Sequence, residues 1–393
     1  MSSDPVVIVG IARTPMGGLL GELSPLPATK LGSVAISAAL ARAGVDGEAV
    51  DEVLMGNVLA AGLGQAPARQ AMRGAGMPDS TTATTVSKVC GSGMKAIMQG
   101  HDAIAAGSAN IVVAGGMESM TNAPHLLPTG RTGIKYGDGK ILDHMAKDGL
   151  SNADDGQSMG TFAEMCAEHY QFTREAQDAF AITSTERAQA AITNGAFNDE
   201  IVPVTIKSRR GDVEVTTDEQ PPKARLDKVA SLRPAFKKDG TVTAATSSSI
   251  SDGAAALVLM RASEAKTRGI TPLATIKAQA SHAQAPEWFT TAPVDAMRKL
   301  LDKAGWSVAD VDLFEINEAF ACVTMAAMHE LNLDHAKVNV NGGACALGHP
   351  IGASGSRIVV TLLNALKTRG LKKGVASLCI GGGEATALAV ELT

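Results

Sequence analysis

Aromatic residues and net charge are both scarce in this sequence. Phe, Trp and Tyr make up 3% of the 393 residues, and the formal net charge is −5. So few aromatics exclude the stacking platforms that bind single-stranded nucleic acid. The small negative charge creates no field that would attract nucleic acid or an anionic membrane. We therefore expect neither of these partners, and a core filled by aliphatic residues and Met.

Long apolar runs and closely spaced cysteines are also missing. No run approaches the roughly 18 residues of a membrane span, and residues 254–260 are typical of the longest. The N-terminal residues lack the basic and apolar regions of a secretion signal. The cysteines are widely spaced, which is typical of reduced thiols, and no Cys/His pair has zinc-site spacing. We therefore expect a cytoplasmic protein without a metal ion. The cysteines are Cys90, Cys166, Cys322, Cys345 and Cys379.

Four patterns of the N-terminal half recur in the same order in the C-terminal half. Each pattern combines a helix, a short apolar strand or a glycine-containing turn. Recurrence of the whole series indicates that one β/α unit has been duplicated. The matched segments are residues 39–57 and 300–318, 82–93 and 337–355, 111–116 and 375–383, and 253–259 and 384–390.

The alternation of strands and helices predicts an α/β protein with mostly parallel sheets and with chemistry at strand ends near helix N-termini. A long segment separates the last matched strands in the first half only, and we interpret it as an insertion with one clear helix at 174–191. Two halves would pack as a layered body beneath that insertion. We expect an N-terminal β/α half (1–116 and 251–270), an inserted loop domain (117–250) and a C-terminal β/α half (271–393).

Cys90 lies between a predicted strand and a predicted helix, in a turn that contains Gly91 and Gly93. The glycines permit a tight turn and a close approach of the backbone. Free N–H groups and the helix dipole favour an anion there, which lowers the pKa of a thiol. Cys90 is therefore a candidate nucleophile, and the alternative is a small buried cysteine.

Three further positions carry groups suited to the same chemistry. His349 precedes the matching helix of the second half, where it can accept a proton or polarise a carbonyl. Cys379 ends a strand before Gly381, Gly382 and Gly383, whose N–H groups can form an oxyanion hole. Asn317 follows an apolar strand and can hold a water or a substrate oxygen. The alternatives are a structural histidine, a buried strand-end thiol, and an Asx turn or helix cap.

One segment of the predicted insertion is locally basic. Residues 203–239 contain nine Lys or Arg against six Asp or Glu. Such a segment would meet an anionic ligand at the surface. The alternative is a solvated charged loop.

Four sequence blocks resemble the signature blocks of the thiolase family and follow the family's order. Flanking blocks extend the likeness over essentially the whole chain. The resemblance implies duplicated β/α halves that form a layered αβαβα body with an inserted loop domain. The signature blocks are residues 89–96, 317–320, 341–352 and 379–383, and the flanking blocks are 56–70 and 115–120.

The resemblance also implies a role for each candidate residue. Cys90 would be the nucleophile that carries the acyl group, and His349 would activate it and later help to bind the thioester oxygen. Cys379 would move the α-proton of the substrate. Asn317 would hold a water that, with His349, forms one oxyanion hole. The N–H groups of Cys90 and Gly381 would form the other.

By the same resemblance the insertion would bind coenzyme A, with CoA and acyl-CoA as substrates and no permanently bound cofactor. Residues near 122–145 resemble the loop that joins dimers into a tetramer, so we expect a homo-oligomer. The basic residue that contacts CoA would be Lys223 or Arg225. The remaining residues expected to line the pantetheine and acyl pocket are Leu150, Met159, Phe236, Ala244, Ser248, Phe289, Ala319 and Phe320.

The likeness is greatest to thiolases that join two acetyl-CoA molecules reversibly into acetoacetyl-CoA and CoA. The alternative within the family is a degradative 3-ketoacyl-CoA thiolase of broader chain length. Outside the family, Cys90, His349 and Asn317 would also suit a Cys/His hydrolase, and a non-catalytic binding protein would keep the fold alone. Departures from the family's pattern at Ser158 and at residues 246–249 bear on acyl-chain preference.

Overall fold

The computed structural model describes residues 4–209 and 211–393 of the protein. The strands are β1 (Val6–Arg13), β2 (Gly17–Gly18), β3 (Glu52–Gly56), β4 (Thr82–Val86), β5 (Ile111–Ser119), β6 (His125–Leu126), β7 (Leu142–Asp143), β8 (Val204–Ile206), β9 (Val213–Val215), β10 (Ser251–Arg261), β11 (Ala274–Ala283), β12 (Leu313–Ile316), β13 (Lys373–Ile380) and β14 (Glu384–Leu392). The helices are α1 (Ala28–Ala43), α2 (Pro67–Gly74), α3 (Ser92–Ala106), α4 (Met159–His169), α5 (Arg174–Thr193), α6 (Gln220–Lys223), α7 (Ala262–Thr267), α8 (Ala292–Ala304), α9 (Ala321–Leu331), α10 (Ala344–Leu347) and α11 (Ile351–Arg369).

The strand order reproduces the predicted duplication. One half runs β4-β3-β5-β10-β1, and the other runs β12-β13-β14-β11. Corresponding strands occupy corresponding places, with β3 matching β12, β5 matching β13, and β10 matching β14. The two halves join where β1 pairs with β11 through Val7 with Thr275 and Ile8 with Ala274. The duplicated β/α architecture is confirmed.

The helices divide the body into the expected αβαβα layers. Helices α3 and α11 lie between the strands of the first half and those of the second half. Their apolar side chains, such as Ile97 and Ile358, belong to a core cluster that includes strands of both halves. Helix α1 covers the outer face of one sheet, and α8 covers the outer face of the other. Every residue of α11 from Ile351 to Leu366 is buried. This central helix therefore belongs to the core on all its faces.

The expectation of mostly parallel sheets is wrong. Strand β3 pairs in parallel with β4 and β5, and β12 pairs in parallel with β13. Strands β10 and β14 are antiparallel to the strands beside them. In β14 the reason is local, because a short turn at Gly382 and Gly383 returns the chain directly from β13, and both glycines have a positive φ.

The strand expected at 337–340 is also absent from the described residues. A short helical turn covers His335–Lys337, and only Val338 bridges to β12. The Asn339 side chain forms the hydrogen bonds that a neighbouring strand would form with the end of β12. It accepts from Ile316 N and donates to Ile316 O, both at 2.8 Å. A side chain that satisfies the strand backbone removes the need for a second strand there.

The segment between β5 and β10 leaves the sheet and contains α4 to α6. The predicted helix at 174–191 is present as α5, and Thr173 caps it by accepting from Ala176 N at 3.2 Å. Helix α5 is anchored to the second half, since Arg187 donates to Val338 O at 2.7 Å. Within the described residues, no helix is both long and apolar enough to cross a membrane.

Candidate active site

Cys90 lies in a strained turn between β4 and α3. Val89 has a φ of +46°, a conformation that costs on the order of 1–3 kcal/mol for a non-glycine residue. The turn is held by Ser92, whose Oγ accepts from Lys88 N at 2.8 Å and donates to Val89 O at 2.7 Å. A Cβ atom added at Gly91 would lie 2.3 Å from Cδ1 of Ile380. The nucleophile turn of one half therefore packs directly against the end of β13 in the other.

Cys90 opens into a cavity of about 400 Å³ with mainly apolar walls. Eleven of the residues proposed from the sequence line it: Cys90, Leu150, Met159, Phe236, Ala244, Ser248, Phe289, Ala319, Phe320, His349 and Gly381. Met120, Ser249 and Ile351, from sequence segments already noted, also line it, as do Gly149 and Ile250, which the sequence did not single out. Gly149 and Ile250 carry no chemical group that would identify them in the sequence. A narrow apolar cavity with a few polar groups suits a small acyl chain.

His349 is buried, and its hydrogen bonds define which ring nitrogen is free. Nδ1 lies 2.5 Å from Ser354 Oγ, and that hydroxyl donates to Pro350 O at 2.9 Å. Nδ1 therefore carries the proton in this network, and Nε2 has a free lone pair. Burial, followed by the positive charge of Arg357, lowers the pKa of His349 to about 3. The imidazole is consequently neutral near pH 7 and available as a base.

Asn317 follows β12 and reaches His349 from behind the cavity wall. Its Nδ2 lies 3.5 Å from His349 Nε2, and its backbone N donates to Ser377 O at 3.0 Å. Asn317 Oδ1 is buried and has no hydrogen-bond partner among the described residues. A buried amide oxygen normally has a partner. The group is therefore suited to hold a water molecule beside His349.

Cys379 lies at the end of β13 and is fully buried rather than on the cavity surface. Burial raises the pKa of its thiol, and the negative charge of a Cys90 thiolate would raise it further. The two thiols are therefore close enough to interact electrostatically. The N–H groups of Gly381 and of Cys90 itself lie near the Cys90 sulfur and favour its thiolate form.

The expectation that the pKa of Cys90 is lowered at the helix N-terminus is wrong. Burial raises the pKa of Cys90 to about 11, although the N–H groups of Gly381 and Cys90 act in the opposite direction. Desolvation of the thiolate outweighs these dipoles. Cys90 therefore needs a base to remove its proton, and His349 is a neutral base at the same cavity.

Lys223 and Arg225 do not line this cavity. Lys223 forms ion pairs with Glu219 at 2.7 Å and with Glu22 at 3.5 Å, and Arg225 pairs with Asp227 at 2.9 Å. Lys223 lines a smaller neighbouring pocket, which shares Ala244 and Ser249 with the main cavity. Of the two cations, Lys223 is therefore nearer to the site.

Sequence reasoning missed the part played by Glu318, which lies next to Asn317. Its buried carboxylate accepts hydrogen bonds from Ser184 Oγ at 2.7 Å, Asn339 Nδ2 at 2.8 Å and Cys345 N at 3.0 Å. Burial raises the pKa of Glu318. The side chain joins α5, the turn after Val338 and the start of α10. Its signal in the sequence was a carboxylate directly after an apolar strand, where solvent is excluded.

No group of three or more His, Cys, Asp or Glu side chains that could hold a metal ion occurs among the described residues. The chemistry available is that of the Cys90 thiol and the neutral His349 imidazole at the cavity, the buried Cys379 thiol, and backbone N–H groups. Such a set can accept an acyl group on sulfur and stabilise the oxyanion that forms. The duplicated body and this site define an acyltransferase.

Comparisons with known proteins agree with this class. Residues 6–263 match the family model described as thiolase, N-terminal domain, and residues 270–392 match the one described as thiolase, C-terminal domain. The chain belongs to the thiolase family.

Relatives and solved structures extend the similarity over nearly the whole chain. An acetyl-CoA acetyltransferase of Cupriavidus necator is 54% identical over 388 residues, which is 98% of this chain and 99% of the relative. Acetyl-CoA acetyltransferase 2 of Arabidopsis thaliana is 54% identical, with 98% and 97% covered. The crystal structure of an acetyl-CoA acetyltransferase of Bacillus anthracis has a TM-score of 0.97 at 43% identity, with 99% of each chain covered. A thiolase of Ascaris suum in complex with coenzyme A has a TM-score of 0.94 at 43% identity, with 99% and 100% covered.

Proposed function

We propose that the protein is an acetyl-CoA acetyltransferase that joins two acetyl-CoA molecules into acetoacetyl-CoA and CoA, and that also runs the reverse thiolysis. One observation carries the proposal: Cys90, the neutral imidazole of His349 and Gly381 line the same cavity. The names of the relatives support acetyl-CoA as the substrate. They do not favour the alternative of a degradative thiolase with a broader chain range.

In the first half-reaction, His349 Nε2 takes the proton of Cys90, and the thiolate attacks the thioester carbonyl of acetyl-CoA. The N–H groups of Cys90 and Gly381 stabilise the oxyanion. The C–S bond to CoA then breaks, and His349 returns its proton to the leaving CoA thiolate. The acetyl group remains on Cys90, which divides one difficult step into two easier ones.

In the second half-reaction, the proton of Cys379 passes to Nε2 of His349, and the resulting Cys379 thiolate takes an α-proton from a second acetyl-CoA. The protonated Nε2 of His349 and a water held by Asn317 then donate to the enolate oxygen. The carbanion attacks acetyl-Cys90, a C–C bond forms, and the Cys90 thiolate leaves and takes the proton of His349 Nε2. This step needs two thiols of separate function, which explains the interaction between Cys90 and Cys379.

The apolar walls support a short acyl group beside a pantetheine arm. Phe289 and Phe320 meet with ring centroids 6.4 Å apart, and together they limit the space beyond Cys90. We assign the anionic end of CoA to Lys223 or Arg225, because both side chains are exposed and their partners Glu22 and Asp227 are exposed as well. No permanently bound cofactor enters the reaction, and CoA and acyl-CoA act as substrates.

The proposal includes a homotetrameric assembly, a cytoplasmic location and a place in fatty acid metabolism. Self-association is supported by large apolar side chains that are about half exposed or more in the 122–145 loop: Leu127, Ile134, Tyr136 and Ile141. Exposed apolar groups on one loop favour a protein–protein interface.

The cytoplasmic location is supported by the cysteines, all of which are unpaired. The proposed division places CoA binding in the inserted domain, residues 117–250.

Intact mass spectrometry after incubation with acetyl-CoA tests the reaction class. We expect an acetyl adduct that maps to Cys90 in the wild-type protein and is lost in Cys90→Ala. The matched control is Cys345→Ala, because Cys345 lies outside the main cavity and should leave the adduct unchanged. Addition of CoA should discharge the adduct to acetyl-CoA. Steady hydrolysis without transfer to CoA would instead indicate a Cys/His hydrolase, and absence of any adduct would refute the proposal.

A further inference from the structure

Glu118 is a fully buried carboxylate near the cavity to which the proposed mechanism assigns no role. It lies in β5, two residues after the pair of Gly115 and Gly116. Four N–H groups donate to it: Asn57 Nδ2 at 2.7 Å, Val58 N at 3.0 Å, Leu59 N at 3.2 Å and Gly352 N at 2.9 Å. Four donors to one buried side chain form a strong charge-assisted network.

These donors come from both halves of the molecule. Val58 and Leu59 follow β3 of the first half, whereas Gly352 lies in the first turn of α11, three residues after His349. A carboxylate is favoured at a helix N-terminus because the free N–H groups and the helix dipole are positive there. Glu118 therefore ties the segment that carries His349 to the half that carries Cys90.

The backbone around this carboxylate is packed so tightly that three neighbouring glycines have no room for a side chain. A Cβ atom added at Gly116 would lie 2.1 Å from Gly352 O, and one added at Gly56 would lie 2.6 Å from the same oxygen. A Cβ atom added at Gly352 itself would lie 2.7 Å from Glu118 Oε2. Backbones therefore touch directly where β3, β5 and the start of α11 converge. A small shift of Glu118 would move α11 relative to the nucleophile turn.

We propose that Glu118 is a positioning residue that sets His349 at its working distance from Cys90 across the junction of the two halves. The inference rests on the proposed acyl transfer through Cys90. Displacement of a catalytic group by about 1 Å can cost about 10²-fold in rate. A clamp that acts on His349 through α11 would therefore affect the chemical step more than substrate binding.

The charge of Glu118 provides a second, independent readout. Its negative charge contributes to the raised pKa of Cys90. Burial raises the pKa of Glu118 itself to about 7, and the backbone N–H groups of Val58, Leu59 and Gly352 act in the opposite direction. Two ionisable groups interact with it, Cys90 from the nucleophile turn and Asp252 from β10. Loss of the Glu118 charge should therefore make the Cys90 thiol more acidic.

The test compares Glu118→Gln with wild type in steady-state turnover and in alkylation of Cys90 by iodoacetamide across pH. The glutamine side chain keeps one acceptor oxygen, but its NH₂ group replaces the other and would face N–H donors that then have no acceptor. We expect kcat to fall by about 10²-fold, with KM for acetyl-CoA almost unchanged, and the alkylation profile to move to lower pH. Glu118→Asp keeps the charge but shortens the reach, so kcat should fall while the profile stays in place.

The matched control is Glu164→Gln. Glu164 is another buried carboxylate that accepts backbone N–H groups, from Thr241 and Val242, and it contacts neither Cys90 nor His349. This variant should lose stability without moving the alkylation profile. Should Glu118→Gln fail to fold, Asn57→Ala removes one donor alone and should still lower kcat by about tenfold.

Equal kcat and an unchanged alkylation profile in folded Glu118 variants would overturn the inference and leave the proposed function intact. An unchanged kcat in Asn57→Ala would overturn it as well. Failure of the proposed function is distinguished by the wild-type protein, in which no acetyl adduct would form on Cys90. The iodoacetamide profile does not depend on acetyl transfer, so it reports on Glu118 in either case.

Discussion

The side-chain amide of Asn317 lies 3.5 Å from Nε2 of His349, although 32 residues separate them in the chain. Asn317 follows β12, and His349 precedes α11, so the contact joins two loops of the C-terminal half. Ser354 engages Nδ1 of His349, so Nε2 is the ring nitrogen that faces Asn317 and can accept a proton. His349 therefore lines the cavity with the Asn317 amide directly behind its Nε2 atom, which is the basis of the first prediction below.

Asn317→Ala should lower kcat by about 10²–10³-fold, because one preorganised donor to the developing oxyanion is removed. KM for acetyl-CoA should change little, since the group acts mainly on the transition state. Steady-state kinetics at saturating acetyl-CoA measures both. Asn110→Ala, at an exposed position, is the control and should retain wild-type rates. A variant that changes KM alone would show that Asn317 binds substrate instead.

Cys379→Ser should separate the two half-reactions. The acetyl adduct on Cys90 should still form, because Cys379 does not take part in the first step. Exchange of the α-protons of acetyl-CoA in deuterated water should fall by about 10²–10⁴-fold, since a hydroxyl is a far weaker base than a thiolate. Mass spectrometry measures the adduct, and NMR measures the exchange. Exchange at the wild-type rate would exclude Cys379 as the base.

The reactivity of Cys90 should increase with pH throughout the neutral range. A thiol whose pKa is raised to about 11 is almost fully protonated at pH 7, and only the thiolate reacts. The rate of alkylation by iodoacetamide should therefore rise by about tenfold per pH unit between pH 7 and 10. His349, with its pKa lowered to about 3, should add no inflection between pH 5 and 8. Peptide mapping assigns the label, and a plateau below pH 8 would contradict the raised pKa.

Ser184→Ala should destabilise the protein, because the buried carboxylate of Glu318 loses a donor at 2.7 Å and Gly343 N loses its acceptor at 2.9 Å. An unsatisfied buried group costs about 1–3 kcal/mol. Urea unfolding gives the free energy of unfolding. Thr183→Ala is the matched control, because its exposed hydroxyl bonds only within the helix, to Ala179 O. Equal stability of the two variants would show that the Glu318 network contributes nothing.

Phe289→Ala should broaden the range of acyl chains. Phe289 is buried at the cavity wall, and its removal extends the space beside Phe320. Turnover of longer 3-ketoacyl-CoA esters should rise relative to acetoacetyl-CoA, while a cost of about 3–5 kcal/mol in stability accompanies the loss of the ring. Phe172→Ala is the control, because Phe172 stacks on Tyr170 outside the main cavity. An unchanged preference would place chain selection elsewhere.

The duplicated architecture could be predicted because it depends on local patterns. Helices that end at Gly44 and Gly305, both in the left-handed conformation, precede matching strands in both halves. The strand directions could not be predicted in the same way. They depend on whether the chain crosses over to a parallel strand or turns back to an antiparallel one, as it does at Gly383. In a sequence, a glycine-rich hairpin turn cannot be distinguished from a longer crossover loop.

The candidate site could be predicted in part, from residues that combine a reactive group with a glycine-rich setting. Cys90 and His349 meet this condition, and both line the cavity. Glu118 and Glu318 do not meet it, because the sequence cannot show that a carboxylate is surrounded by N–H donors from distant segments. The pKa of Cys90 was predicted in the wrong direction for the same reason, since burial depends on the whole molecule.

The amino-acid sequence alone determined the repeated β/α unit, the nucleophile turn and the glycines that allow backbones to touch, because each of these follows from neighbouring residues. Only the tertiary structure decided which groups are buried together, how far each pKa moves and which hydrogen bond orients His349. Desolvation and hydrogen bonding act through space, and the residues responsible come from both halves of the chain.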